Sequence, residues 1–185
     1  MRRGRVNVSM TKTIYLAAGC FWGAQHYLRQ INGVVSTAAG FANGDMDNYF
    51  EPTYEQVYTD QTGYAETVRV EYDPEVLPLA KLLKLYFLCI DPTSENQQGE
   101  DHGTRYRTGI YYVEVEDYPT IMDIYHEVQH GYSSPLAVEV EPLRVFQPAE
   151  GYHQDYLIKH PDGYCHLPTA LFEVAREANR HGEKR

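Results

Sequence analysis

Residues 64–73 (YAETVRVEYD) alternate between two faces. Val68, Val70 and Tyr72 lie on one, and Thr67, Arg69 and Glu71 on the other, the period-2 pattern of a half-buried strand. An apolar run at 13–18 (TIYLAA) predicts a short buried strand, broken by Gly19. A helix is expected over 22–31, closing before Gly33, with a second strand over 34–41. Residues 42–53, rich in Asn, Gly, Asp and Pro, read as a loop. The period lengthens at 79–90, entered by Pro78. Leu79, Leu82, Leu83, Tyr86, Phe87 and Ile90 share the stripe of an amphipathic helix. A strand follows at 110–115, then a helix at 119–130 stopped by Gly131. Residues 137–146 alternate again, with Val138 and Val140 opposed to Glu139 and Glu141. A short helix is expected at 149–159, then a Gly- and Pro-punctuated loop holding Cys165, then a charged, helix-like tail. No repeat, low-complexity segment or linker divides the chain. Interleaved strands and helices predict a two-layer α+β sandwich. One domain over 12–185 is expected, with 1–11 as a disordered or extended tail.

A chain of 185 residues is about one domain's worth and can bury a core without disulfides. Seventeen tyrosines against six phenylalanines is unusual. Tyrosine has an apolar body and a polar tip, so the chain can build pockets that are greasy and hydrogen-bonding at once. A net charge of −10 repels phosphate backbones and anionic lipid, which argues against nucleic acid and membrane partners. No apolar run approaches the roughly 20 residues of a membrane span. The three arginines within residues 1–9 are not followed by the apolar stretch of a secretory signal. Three cysteines, Cys20, Cys89 and Cys165, do not make a secreted disulfide framework, so a soluble, cytoplasmic protein is expected. There a cysteine is either an apolar filler or a reactive thiol.

Cys20 stands at a strand–Gly–Cys–helix junction, Gly19-Cys20-Phe21-Trp22-Gly23. Unpaired N–H groups and the positive end of the helix dipole favour thiolate and are expected to lower its pKa. Phe21 and Trp22 supply flat apolar surface beside it. The same spacing suits a buried filler among aromatics equally well. Glu66 shares phase with Val68, Val70 and Tyr72, so it faces the buried side, where desolvation should raise its pKa and let it hold a proton near neutrality. It would otherwise be a strand-end glutamate reaching solvent past Gly63. Asp101, Arg105 and Tyr106 fall in a polar, glycine-containing loop, a common place for sites and for plain connections. Cys165, in Gly163-Tyr164-Cys165-His166, is either a stray cysteine or a second thiol able to resolve an oxidised first one. Cys89 lies on or beside the apolar stripe of its helix and reads as core. His126-Glu127-Val128-Gln129-His130 matches the H-E-x-x-H of zinc peptidases. Gly131 leaves its second histidine in a fraying turn, and no third ligand is evident beyond Glu150 or His153, so an exposed helix is the better reading.

Taken in order, these motifs resemble the peptide-methionine (S)-S-oxide reductases, the A-type methionine sulfoxide reductases. The resemblance runs from about 12 to 167. It rests on Gly19-Cys20-Phe21-Trp22-Gly23, Pro52-Thr53-Tyr54-Glu55, Gly63-Tyr64-Ala65-Glu66, the stretch from Asp91-Pro92-Thr93 to Asp101-His102-Gly103-Thr104-Arg105-Tyr106-Arg107, and Ala149-Glu150 with His153-Gln154-Asp155-Tyr156 and Gly163-Tyr164-Cys165. The family usually has His where Tyr64 stands. The H-E-x-x-H helix is no part of its pattern. The resemblance implies a ferredoxin-like plait with a mixed sheet and a long irregular C-terminal segment. It also implies roles. Cys20 attacks the sulfoxide sulfur, and Phe21 and Trp22 wall a pocket for the substrate methyl. Tyr54, Tyr106 and Glu66 bind the sulfoxide oxygen, with Glu66 as proton donor. Asp101 organises the pocket. Cys165 resolves the Cys20 sulfenic acid as a disulfide that thioredoxin reduces, in a two-cysteine cycle with no later recycling cysteine. The implied substrate is the S epimer in oxidised proteins, peptides or free methionine sulfoxide, as protein repair under oxidative stress. No cofactor and no metal are implied, and a monomer is expected. Competing readings are a zinc-dependent peptidase on His126 and His130, a non-catalytic aromatic binding module, and a cysteine hydrolase pairing Cys20 with His102 or His153.

Overall fold

A six-stranded mixed sheet frames the computed structural model, which describes residues 10–180. β1 (Lys12–Ala18) turns into α1 (Phe21–Leu28), followed by β2 (Val34–Ala42), α2 (Tyr54–Tyr58), β3 (Ala65–Tyr72) and α3 (Leu79–Leu88). A small hairpin of β4 (Gln97–Gln98) and β5 (Asp101–His102) precedes β6 (Thr108–Tyr112) and α4 (Tyr118–Gln129). β7 (Glu139–Pro142), β8 (Phe146–Pro148), α5 (Tyr156–Lys159) and α6 (Ala170–Ala178) follow. The sheet order is β7-β6-β1-β3-β2-β8, antiparallel throughout except for the parallel β6–β7 pair.

Alternation decides which face is covered. Register places Ile14 opposite Val70 and Leu16 opposite Val68. These residues, with Tyr72, are fully buried in one cluster with Phe21, Ala24, Tyr27 and Leu28 of α1 and Leu82, Leu83 and Tyr86 of α3. Each such aliphatic or aromatic side chain stabilises the fold by roughly 1.5–3 kcal/mol. The tips of Tyr27 and Tyr86 are paired, whereas the buried Tyr72 hydroxyl has no partner among the described residues. Tyr27 donates its hydroxyl to the Leu85 carbonyl at 2.6 Å, and Tyr86 donates to the Ala17 carbonyl at 2.6 Å, tying α1 to α3 and α3 to the sheet. The other sheet face carries a smaller cluster of Ala17, Ala42, Ala65 and Tyr111, against which Leu143 and Phe146 pack.

The expected strand at 137–146 is instead two strands at opposite edges of the sheet. From Pro142 to Phe146 an extended chain reaches at most about 14 Å. Five strand spacings in a flat sheet would need about 24 Å. The sheet therefore curls until its edges approach. Asn43 pins the junction: its amide donates to the Pro142 carbonyl (3.1 Å), its side-chain oxygen accepts from Arg144 N–H (2.7 Å), and its own N–H donates to Val145 (3.1 Å). The expected helix at 149–159 is also broken. A 3-10 turn at Gly151–His153 and the single turn of α5 are separated by Asp155, which sits at φ 51°. The expected tail at 1–11 lies outside the described residues except for Met10 and Thr11. Among the described residues no helix is long and apolar enough to cross a membrane.

Candidate active site

β1 ends at Gly19, whose φ of +78° turns the chain so that Cys20 becomes the N-cap of α1. The Cys20 side chain makes no capping hydrogen bond. The first turn is met instead by Glu66 of β3, whose Oε1 accepts the Phe21 N–H at 3.1 Å. Thiol and carboxyl are both deeply buried, at 6% and 2% exposure. Burial pushes the Glu66 carboxyl up to about 8, against the opposing pull of the Phe21 N–H and the Arg105 guanidinium. Glu66 is therefore mainly a neutral acid at pH 7.

For Cys20 the helix-terminus expectation fails in sign. Burial is the largest influence and raises the thiol well above its ordinary value, and the Glu66 charge adds to it. The N–H groups of Trp22 and Gly23 pull downward as the sequence predicts, but they lose. At rest the sulfur keeps its proton.

Aromatic side chains from three segments gather around this pair. The Phe21 ring lies 6.5 Å from Tyr54 and 5.4 Å from His153, centroid to centroid. Trp22 stacks on Tyr156 at 3.8 Å and donates its indole N–H to His153 Nδ1 at 3.0 Å. That bond leaves the His153 proton on Nε2. Tyr54 begins α2, a helix fixed by a reciprocal cap: Gln56 N–H to Thr53 Oγ1 (3.2 Å) and Thr53 N–H to Gln56 Oε1 (3.0 Å). Tyr106 ends a 3-10 turn, Thr104–Tyr106, held by Asp60, which accepts the Arg105 N–H (3.0 Å) and pairs with its guanidinium. That guanidinium lies between the rings of Tyr58 and Tyr106, at 4.3 and 4.4 Å from their centroids. Burial raises the hydroxyl pKa of both Tyr54 and Tyr106, with the Glu66 charge next and Cys20 further down, so both phenols face the buried pair as firm proton carriers.

Asp101, on β5, accepts the Tyr164 hydroxyl at 2.8 Å and so ties the hairpin to the segment carrying Cys165. Cys165 is half-buried against α1: its Sγ lies 3.0 Å from where a Gly23 Cβ would stand. Cys165 also borders an apolar groove of about 460 Å³ with His26, Leu157, Ile158, Pro161 and Phe172. Cys20, Phe21, Trp22, Tyr54, Glu66 and Tyr106 thus converge, with Asp101 and Cys165 at the margin. Cys89 is buried in the main core and its thiol is pushed up to about 12 by burial. His126, Glu127 and His130 are exposed on and just after α4, where Glu127 pairs with Lys84 at 3.6 Å. Among the described residues no group of three or more His, Cys, Asp and Glu is arranged to hold a metal. His102 is exposed, and His153 already accepts the Trp22 indole, so neither stands as a base beside Cys20. Sequence reasoning gave no role to the Asp60–Arg105 clamp and missed α2. The Thr53-x-x-Gln56 spacing was the signal for α2, while nothing local announces a contact between Asp60 and Arg105.

Comparison with known proteins identifies the family. A family model described as peptide methionine sulfoxide reductase matches residues 12–185. The MsrA peptide methionine sulfoxide reductase of Lachnoclostridium phytofermentans is 52% identical over 169 residues, 91% of this chain and 100% of that one. That of Clostridium acetobutylicum is 49% identical over 162 residues, 88% of this chain and 98% of the other. Among solved structures, reduced Mxr1 from Saccharomyces cerevisiae is similar with a TM-score of 0.81 and 36% identity, covering 86% of this chain and 91% of that one. Mxr1 in an unusual oxidized form gives 0.62 at 36% identity, covering 86% of each chain. Mxr1 in complex with Trx2 gives 0.56 at 26% identity, covering 81% of this chain and 87% of that one.

Proposed function

The chain belongs to the peptide methionine sulfoxide reductase family, whose members are oxidoreductases, and from that premise we propose that it reduces the S epimer of methionine sulfoxide through Cys20, Glu66 and Cys165. The observation that carries this reading is Glu66, a carboxyl kept protonated by burial against the first turn that presents Cys20. The sulfoxide oxygen sits among Glu66, Tyr54 and Tyr106, and the substrate methyl lies against Phe21 and Trp22. As the Cys20 sulfur bonds to the sulfoxide sulfur, negative charge grows on that oxygen. Donors already aimed at it stabilise the transition state. Glu66 gives its proton to the oxygen and takes the Cys20 thiol proton in exchange. This explains how a thiol held neutral at rest can act as nucleophile. The protonated oxygen then passes to Cys20 as the new S–S bond and its bond to the methionine sulfur break, leaving Cys20 as sulfenic acid and releasing methionine. Two electrons pass from the cysteine sulfur to the sulfoxide sulfur.

Cys165 then attacks the sulfenic sulfur, forming the Cys20–Cys165 disulfide and releasing water. A dithiol protein of the thioredoxin type reduces it. Mxr1 in complex with Trx2 supports that partner class. Asp101 positions the Cys165 segment through Tyr164. The run β1-α1-β2-β3-α3-β6, with strand order β6-β1-β3-β2, supports reading the frame as a ferredoxin-like plait. The test is stoichiometric. Reduced protein is incubated with each separated epimer of a methionine sulfoxide peptide, without external reductant. About one methionine per chain from the S epimer alone, with a Cys20–Cys165 disulfide and no product from Cys20→Ser, is expected. Methionine from neither epimer would overturn the reading.

A further inference from the structure

We propose that His166 is the general base of the resolving step, taking the Cys165 thiol proton on Nδ1 as that sulfur attacks oxidised Cys20. This rests on the Cys20–Cys165 cycle proposed above. The imidazole lies across the turn that presents Cys20. Its Nε2 is 3.1 Å from the place a Gly19 Cβ would occupy, and its Nδ1 is 3.1 Å from that of Gly23. The two glycines flanking Cys20 and Trp22 thus make room for one ring. The Cys165 sulfur shares that room, 3.0 Å from the same Gly23 position. Nitrogen and sulfur therefore lie within about 6 Å of each other, over one point of α1.

The tautomer follows from a single contact. His166 Nε2 lies 3.0 Å from the Ala18 carbonyl oxygen, which can only accept, so Nε2 carries the hydrogen. Nδ1 is then a bare lone pair. It is buried and has no hydrogen-bond partner among the described residues. A buried acceptor without a donor is costly and calls for an explanation. The Cys165 thiol, seated on the same Gly23 position, makes no hydrogen bond to Nδ1 in this reduced form, and in the proposed step the two pair as the sulfur moves onto Cys20. Around the ring stand the Ala18 carbonyl and Gly19 from the end of β1, Gln98 and Gly99 of the hairpin, and Gly23 of α1. The titratable groups nearest it are Asp101 and the Cys165 thiol. Burial outweighs the Asp101 carboxylate and lowers the imidazole, so it is neutral, and a base, at pH 7. Burial raises the Cys165 thiol, so that sulfur needs one.

The step balances. Cys20–S–OH and Cys165–SH give the Cys20–Cys165 disulfide and water. The Cys165 sulfur is oxidised as the S–S bond forms. The Cys20 S–O bond breaks with its electron pair on oxygen, and the proton parked on Nδ1 goes to that hydroxide.

To test it, reduced wild type and His166→Gln are mixed with one equivalent of the S-epimer peptide at pH 5–9 without reductant. Samples are quenched over time. Methionine, sulfenic acid trapped by a 1,3-dicarbonyl, and disulfide are counted by mass spectrometry. Glutamine can keep a donor on the Ala18 carbonyl but offers no base. Disulfide formation is expected to slow on the order of 100-fold at pH 7, far beyond any change in methionine formation, with sulfenic acid accumulating. In wild type the resolving rate should be flat from pH 7 to 9 and fall in acid as Nδ1 is protonated. Equal resolving rates in the two proteins would overturn the proposal. So would a wild-type rate that climbs about tenfold per pH unit to pH 9, tracking bare thiol ionisation, and this readout needs no folded variant. If wild type makes no methionine or no Cys20–Cys165 disulfide, the parent reading fails instead.

Discussion

Glu66 is a residue whose burial is unfavourable to the fold and, in the proposed mechanism, useful to the chemistry. Its folded pKa of about 8 lies above the ordinary 4.5, so the native state holds a proton that the unfolded chain has released. The stability it contributes is full below about pH 4.5 and is lost as pH rises through about 8. Glu66→Gln keeps an acceptor for the Phe21 N–H and abolishes the titration. Melting curves should show variant and wild type alike near pH 4.5, with the variant more stable at pH 8.5, by at most about 5 kcal/mol. Single-turnover methionine release should fall on the order of 100-fold or more. A variant that gains nothing at pH 8.5 would mean the carboxyl is not held neutral by burial. Glu66 was legible in the sequence because strand phase fixes the face a side chain meets. The sign of the Cys20 shift was not legible. A helix N-terminus is visible in sequence, whereas the depth of burial and a carboxyl from β3 depend on packing.

Among elements, α1 shows that helix propensity does not account for its own sequence. Gly23 is an interior helical position where alanine would favour the helix by about 1 kcal/mol. It is glycine because the Cys165 sulfur and His166 ring occupy the space of its side chain. Gly23→Ala is therefore expected to leave the helical circular dichroism intact or stronger, and to slow disulfide formation at least tenfold, more than it slows methionine release. Disulfide formation at the wild-type rate would show that the Cys165 segment does not rest on α1. A strand pattern with buried neighbours on one side was readable, so β1, β2, β3, α3 and α4 lie near their expected places. α2 was hidden because five residues give no period. Its only local sign is the Thr53–Gln56 cap. The 137–146 strand was misread because alternation persists across Pro142 while the chain changes edges, and no window of sequence reports a curl.

At the scale of the whole molecule, the curled sheet delivers residues 143–178 as a strap that crosses from one sheet edge to the other and returns over α1. That strap brings Cys165 to a site begun at residue 20. The described cysteines are free, and the similarity is higher to reduced Mxr1, at 0.81, than to its oxidized form, at 0.62. Oxidation is expected to act in two opposed ways. Drawing Cys165 onto Cys20 pulls Tyr164 away from Asp101, a contact worth about 1–3 kcal/mol at most. A cross-link from 20 to 165 also closes a loop of roughly 145 residues, which in the chain-entropy account restricts the unfolded state by about 5 kcal/mol. The second effect is larger and global, and the first is local. The disulfide form should therefore have a higher denaturant midpoint than the reduced form, while amide exchange across 160–169 becomes at least tenfold faster. Equilibrium unfolding and hydrogen exchange on both redox forms check this together. A lower midpoint on oxidation would mean that the strap's packing contributes more to stability than closing the loop does. The Cys165 segment would then be a structural brace that the catalytic cycle must break at each turnover.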